Sequence, residues 1–307
     1  MQHDVIVIGG SYAGMAAALQ LVRARRSVLV IDAGERRNRF ASHSHGFLSQ
    51  DGVAAGEIAT TARRQLQAYP TLTWLEGRAE AITGAIDGFT VGTAQGGTHQ
   101  ARRILLATGV ADGLPPVAGL AERWGQAIFH CPYCHGYELD QGRIGVIAAS
   151  PMSTHQAELL TEWGDITLLV NGAVDLGPDT RAALERRGVK IEETPIAQIE
   201  GHADVRMADG RLLPFVGLFT ATRTTPASGP AQALGCAFEE TPMGIQIRAD
   251  AENKTTVPGV FACGDVARAP HSVSLAVGHG AMAGAQLHRS LVWPDGAGLP
   301  AAAAQAR

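Results

Sequence analysis

Residues 4–32 constrain the fold more than any other stretch. Val5-Ile6-Val7-Ile8 is an unbroken β-branched run, the pattern of a parallel strand buried on both faces. Gly9-Gly10-Ser11-Tyr12-Ala13-Gly14 follows. Ala and Leu at helical spacing then predict a helix from Met15 to Arg25, and Val28-Leu29-Val30-Ile31 is a second strand ending in Asp32. Strand, glycine loop, helix, strand and acid in this order make a dinucleotide-binding unit. The glycines allow the turn and let a pyrophosphate sit on the helix N-terminus. Asp32 is placed to accept hydrogen bonds from ribose hydroxyls. Ser11 stands at the middle glycine of the G-x-G-x-x-G pattern, so an ordinary strand–helix turn remains the plain alternative.

Residues 35–52 read as a polar loop containing Arg36, Arg37, Asn38, Arg39, His43 and His45. The two histidines have no cysteine or carboxylate at close metal spacing, so the loop covers a ligand or is merely solvated. A helix is predicted over Glu57–Tyr69, with short strands at Leu72–Leu75, Ala81–Thr83 and Phe89–Thr93 and a buried strand running from Arg103 into Gly109. The chain crosses over near Gly113-Leu114-Pro115-Pro116. A second α/β pattern begins after it, with strands at Arg143–Ile147, Ile166–Val170, Val189–Ile191 and within Leu213–Thr220. Its helices are Ser153–Trp163 and Asp179–Arg187. Val260–Asp265 returns to strand and turn, and Ser272–Leu291 is an Ala/Gly-rich helix. The expected fold class is α/β, with two Rossmann-like, doubly wound parallel-sheet domains and the second inserted into the first. The domains are residues 1–113 with 246–307, and residues 114–245. The tail from Pro294 to Arg307 reads as a frayed end.

Chemistry concentrates at Cys131-Pro132-Tyr133-Cys134-His135-Gly136-Tyr137-Glu138. If a helix opens here, Cys131 is its N-cap and Pro132 its first residue, where a missing N–H is harmless. Residues three apart share a face, so the sulfurs can meet, and the helix N-terminus favours a thiolate at Cys131. His135 is the nearby group of near-neutral unperturbed pKa, suited to passing protons to and from a thiol. The plainer readings are half a zinc site or two buried cysteines. Zinc needs two more ligands at matching spacing, and the remaining cysteines, Cys236 and Cys263, are isolated.

Several classes are disfavoured. A net charge of -4 gives no electrostatic footprint for nucleic acid. No apolar run reaches the length of about 18 residues that a membrane span needs. Asp4 precedes the first apolar run and no basic segment does, unlike a secretory signal. Four cysteines in 307 residues are no disulfide scaffold. A cytoplasmic enzyme is expected, with no nucleic-acid or membrane partner.

The glycine loop at Gly9–Gly14, Ala107-Thr108-Gly109, the Cys-x-x-Cys of the inserted domain and Thr256–Asp265 occur in the order seen in low-molecular-weight thioredoxin reductases, and the chain resembles that family over almost its whole length. The resemblance implies FAD in the first domain, held by Gly9, Gly10, Gly14, Asp32, Gly264 and Asp265, with Ser11, Ala13 and Gly109 beside them. It implies a homodimer, Cys134 as the sulfur nearest the flavin, and Cys131 as the one that attacks the external partner. His135 stands where those reductases usually carry an acid.

The departures are informative. Reductases of this family carry a second glycine loop, for NADPH, after the first strand of the inserted domain. Here that loop is Ala148-Ala149-Ser150-Pro151-Met152-Ser153. A Cβ at its first position costs roughly 1–2 kcal/mol if the turn needs positive φ, and Ser150 would crowd a pyrophosphate. The following strand ends in Asn171-Gly172-Ala173-Val174, with no cation before Arg181 to hold a 2′-phosphate. FAD is therefore expected and NADPH doubted. The CPYCHGYE form also resembles the FAD-dependent dithiol oxidases of gliotoxin and holomycin type. That implies a dithiol that reduces the disulfide, with electrons passing through FAD to oxygen. The alternatives are an NADPH-dependent thioredoxin reductase acting on a thioredoxin-like protein, reduction by another donor such as ferredoxin, and a non-catalytic flavin-binding redox sensor or scaffold.

Overall fold

The computed structural model describes residues 2–294. The first elements are β1 (Gln2–Ile8), α1 (Tyr12–Arg23), β2 (Val28–Asp32), α2 (Ala55–Gln67), β3 (Leu72–Glu76), β4 (Ala79–Thr83), β5 (Phe89–Thr93) and β6 (Thr98–Leu106). They form a sheet of order β3-β2-β1-β6-β5-β4. β1 pairs in parallel with β2 and β6, in register Val5 with Val28 and Arg103, whereas β5 runs antiparallel to both β4 and β6. Val5, Ile6, Val7, Val28 and Val30 are fully buried, which is why their runs carry no polar alternation.

The chain leaves through β7 (Val110–Gly113) and builds a second sheet. Its elements are β8 (Ile128–Phe129), α3 (Pro132–His135), β9 (Arg143–Ile147), α4 (Met152–Leu160), β10 (Asp165–Leu169), α5 (Pro178–Arg186) and β11 (Lys190–Glu192). An antiparallel meander of β12 (Ile196–Glu200), β13 (Asp204–Met207) and β14 (Leu212–Leu213) follows, then β15 (Gly217–Thr220). The main sheet is parallel, of order β11-β10-β9-β15-β8. β16 (Arg223–Pro226), α6 (Pro230–Ala233), a hairpin of β17 (Phe238–Thr241) and β18 (Gly244–Ile247), β19 (Val260–Ala262) and α7 (Val273–Val292) complete the chain. β19 pairs in parallel with β6 and so returns to the first sheet.

Two compact units result. Among the described residues, one holds 2–37, 56–111 and 225–294, and the other holds 38–55 and 112–224. These boundaries correct the sequence-based ones at two places. The return to the first unit falls at Thr225 rather than 246, because Ala231, Cys236 and Ile247 bury themselves in the same apolar cluster as Ile6 and Ile104. Residues 38–55, expected in the first domain, belong to the second. The expected tail lies outside the described residues from 295 onward.

Within the first unit, α7 packs along α1 through small residues. A Cβ on Gly280 would overlap the Ala13 backbone, with Ala13 Cα 2.8 Å away, and one on Gly284 would lie 2.9 Å from Ala17 Cα. The Ala/Gly composition of α7 is therefore a packing requirement. It brings the α1 N-terminus and the Gly264 turn together, since a Cβ on Gly264 would lie 2.7 Å from Ala13 Cβ.

Candidate functional site: a nucleotide cradle and a disulfide turn

In the first unit, the loop after β1 turns where glycine is required. Gly9 has φ 101°, and a Cβ there would run into the Ala107 carbonyl. Gly10 donates its N–H to Asp32 Oδ1 at 3.0 Å. A Cβ on Gly10 would come within 2.6 Å of the Trp74 ring and 2.7 Å of Asp32 Cβ. Ser11 is the N-cap of α1 without a side-chain capping bond, and Gly14 lies so close to the Gly9 carbonyl that no side chain fits. Beside these residues is a cavity of about 110 Å³ lined by Gly10, Asp32, Gly34, Arg36 and Trp74 among others. The Arg63 guanidinium lies 4.6 Å from the Trp74 ring centroid, and the buried Trp74 indole N–H has no partner among the described residues. A carboxylate acceptor, an aromatic wall, an unused donor and a glycine cradle that any Cβ would fill suit the nucleoside end of FAD. Arg36 belongs to the polar loop that the sequence offered as a ligand cover, whereas Trp74 and Arg63 had no sequence signal, because their meeting is tertiary.

The Gly264 turn forms the other side of this unit's cradle. Gly264 has φ 76° and donates its N–H to His279 Nδ1 at 3.1 Å. His279 is buried beside the Asn253 side-chain amide, and desolvation lowers its pKa. Asp265 pairs with Arg37 at 3.3 Å, and Arg37 also reaches His271 Nδ1 at 2.8 Å. Gly109 has φ 68°, and its carbonyl accepts from the Ala227 N–H. The nine residues implied as flavin contacts, Gly9, Gly10, Ser11, Ala13, Gly14, Asp32, Gly109, Gly264 and Asp265, all lie in this one unit. Any FAD bound there would have Asp32 as a hydroxyl acceptor and the α1 N-terminus as its anion-binding end. Bound flavin supplies a two-electron acceptor.

In the second unit, Cys131 and Cys134 form a disulfide, with Cα atoms 5.3 Å apart. Cys131 is the N-cap of α3 and Pro132 its first residue, as the spacing predicts. The helix is a single turn, so the macrodipole expected to favour a Cys131 thiolate is confined to local N–H groups, and the Cys134 N–H already bonds the Cys131 carbonyl at 3.2 Å. Both cysteines are half-buried, so exposure does not separate their roles. Tyr133 meets Trp163 edge-on at 5.2 Å, and a Cβ on Gly136 would lie 2.8 Å from the Trp163 ring.

His135 is the last residue of α3. Its ring stacks on buried Phe129, with centroids 4.3 Å apart and planes 20° apart. Burial, and secondarily the nearness of the His45 ring, lower its pKa to about 4. An imidazole neutral down to pH 5 is a poor proton carrier at neutrality. His135 packs the disulfide turn onto β8 instead of titrating beside it. Among the described residues no cluster of three or more metal-ligating side chains exists.

The second nucleotide loop differs from the first. None of Ala148, Ala149 and Ser150 adopts positive φ, so the expected strain of a Cβ at that turn is absent and the loop takes another path. Fully buried Ser153 accepts from the N–H groups of Ala149 (3.0 Å) and Ser150 (3.4 Å), placing a hydroxyl where those donors would otherwise face an anion. After β10, Asn171 accepts from the Ile196 N–H at 2.8 Å, and Arg181 is paired with Glu193.

The model of the pyridine nucleotide-disulphide oxidoreductase family matches residues 3–280. The thioredoxin reductase tcpT of Claviceps purpurea is 33% identical over 297 residues, covering 92% of each chain. The thioredoxin reductase sirT of Leptosphaeria maculans is 32% identical, covering 95% of each. Among solved structures, an oxidoreductase from Agrobacterium tumefaciens is 57% identical, with a TM-score of 0.94, covering 96% of this chain and 100% of that one. HlmI is 36% identical with a TM-score of 0.88, covering 96% and 94%. No helix among the described residues is long and apolar enough to cross a membrane. Matched along nearly its whole length, this chain belongs to the pyridine nucleotide-disulphide oxidoreductases and is an FAD-using oxidoreductase of the thioredoxin reductase-like type.

Proposed function

We propose that the enzyme oxidises a small-molecule dithiol through its Cys131–Cys134 disulfide and makes no efficient use of NADPH. One substrate thiolate attacks a sulfur of the disulfide, forming a mixed disulfide and releasing the other cysteine as thiolate. The second substrate thiolate then attacks the mixed disulfide. The substrate leaves with a new S–S bond, and the enzyme keeps two electrons on its reduced cysteine pair. Bound FAD would supply the two-electron acceptor for that pair and oxygen the final one, so that overall one dithiol and one O2 would give one disulfide and one H2O2. Cys131, at the start of the turn, is assigned the bond to substrate and Cys134 the relay to the flavin, in keeping with the family resemblance.

The observation that carries the reading is Ser153, whose hydroxyl takes the Ala149 and Ser150 N–H groups that an NADPH pyrophosphate would use. The absence of a basic residue in the sequence between Leu169 and Arg181 supports it. So does the resemblance of the CPYCHGYE segment to gliotoxin- and holomycin-type dithiol oxidases. The names of the tcpT and sirT relatives favour a second reading, an NADPH-dependent thioredoxin reductase. Oxygen uptake separates the two: a dithiol alone should sustain it with stoichiometric H2O2, whereas the second reading requires NADPH. A cytoplasmic homodimer remains part of the proposal, measurable by light scattering and fractionation.

A further inference from the structure

The dithiol reaction must move two protons near neutral pH, and the histidine beside the Cys-x-x-Cys pair is stacked on Phe129, with burial lowering its pKa to about 4. A different histidine is carried to the same region by the polar loop that the sequence left without a role. Residues 38–55 leave the first unit's chain and pack in the second. Phe40 lies against Gly125, where a Cβ would come within 2.7 Å of Phe40 Cβ. The loop is closed by an antiparallel bridge between Ser44 and Val53, with the Ser44 N–H bonding the Val53 carbonyl at 2.9 Å. Asp51 accepts from the Gly46 N–H at 2.8 Å, which holds its carboxylate near His45, the residue before Gly46.

His45 Nδ1 faces Asp51 Oδ1 at 3.7 Å and Glu138 Oε1 at 3.4 Å. Glu138 lies in the turn directly after α3, so one end of this pair is covalently continuous with the disulfide segment. The titratable groups around His45 are thus Asp51 from its own loop, Glu138 from that turn and His135 from α3. Asp51 and Glu138 both lie on the Nδ1 side of the ring, which leaves Nε2 as the nitrogen turned away from them. No described residue bonds Nε2, and the side chain retains 21% exposure, so a substrate can reach it.

We propose that His45, oriented by Glu138 and Asp51, is the proton acceptor for the substrate dithiol at the Cys131–Cys134 disulfide, and that Glu138 acts as its positioning residue. This rests on the dithiol reading above. The neutral imidazole takes the proton from a substrate S–H at Nε2. The thiolate attacks a disulfide sulfur, that S–S bond breaks and the electron pair leaves on the other cysteine. His45 then returns its proton to the displaced thiolate or to solvent, so it is regenerated in each half of the exchange.

The test is the rate of disulfide reduction by dithiothreitol in the FAD-loaded enzyme, read anaerobically by alkylation of the released cysteines from pH 6 to pH 9.5. His45→Ala should lose about 10²-fold at pH 7, the low end of general-base effects. The deficit should shrink toward pH 9, where a thiol of pKa about 8.5 ionises unaided. Added imidazole should restore part of the rate at pH 7. Glu138→Gln should give a smaller loss with the same pH shape, and His135→Phe should leave the profile unchanged. A His45→Ala enzyme with the wild-type profile, or a loss that is pH-independent and unrescued by imidazole, overturns the proposal. If His45→Ala does not fold, the Glu138→Gln profile decides it, because an unchanged profile there removes the pair. Failure of the dithiol reading would appear separately, as flavin reduction by NADPH with the half-reaction intact.

Discussion

Replacing His135 by Phe tests whether its ring is a packing element. Phe keeps an aromatic ring for Phe129 and abolishes the titration. In the wild type the folded pKa of about 4 lies below the ordinary 6.5, so between these values the unfolded chain binds a proton that the folded chain does not. The linkage sign follows: the contribution of His135 is fully present above pH 6.5 and is lost as pH falls toward 4. Two and a half pKa units cap the effect at about 3 kcal/mol, and between pH 7 and pH 5 the loss is about 2 kcal/mol. The assay is urea unfolding of the FAD-loaded wild type and His135→Phe at pH 7, 6 and 5. Subtracting the two curves cancels the other titrating groups. The difference should grow by about 2 kcal/mol on acidification, with the variant the less acid-sensitive. Parallel curves would show that His135 is solvated and would reinstate it as a proton carrier.

Asp265→Ala should purify with less FAD per chain, because it removes a hydroxyl acceptor and leaves Arg37 without its 3.3 Å carboxylate partner; full flavin occupancy by absorbance would contradict this. Gly280→Val should lower stability by about 1–3 kcal/mol through overpacking, since its Cβ would overlap the Ala13 backbone, and the fall should appear as a lower Tm with easier flavin loss. Cys134→Ser should lose dithiol turnover, because no S–S bond is left for the dithiol to attack, while its lone Cys131 thiolate should still take up one mixed-disulfide adduct from an added aromatic disulfide, seen by mass. Wild-type turnover in both single cysteine variants would remove the dithiol mechanism.

The strands Val5–Ile8 and Arg143–Ile147 were legible because complete burial leaves an unbroken apolar run. The Gly9–Gly14 loop was legible because backbone closeness at Gly9 and Gly14 forbids side chains. The Cys131 N-cap and Pro132 could be read from local helix chemistry. The meander β12–β14 could not, because its strands are short and largely solvent-facing, as in Ile196–Glu200 with only Ile199 buried. The return at Thr225 was hidden for another reason: Ala231 and Cys236 are assigned to the first core only by contacts with residues such as Ile6, far away in sequence. The same holds for the site. Asp32 was found because it ends a strand at a fixed distance from the glycines. The Phe129 stack that silences His135, the Arg37–Asp265 pair and the His45–Glu138 pair all depend on which loops meet, and no spacing rule encodes that.

The most direct test of the account is anaerobic stopped-flow reduction of the purified FAD enzyme, following flavin absorbance with NADPH in one syringe and dithiothreitol in another. Rapid bleaching by the dithiol, with NADPH slower by orders of magnitude, is the predicted result. Rapid bleaching by micromolar NADPH would contradict it and make the Ser153-filled loop a working pyridine nucleotide site.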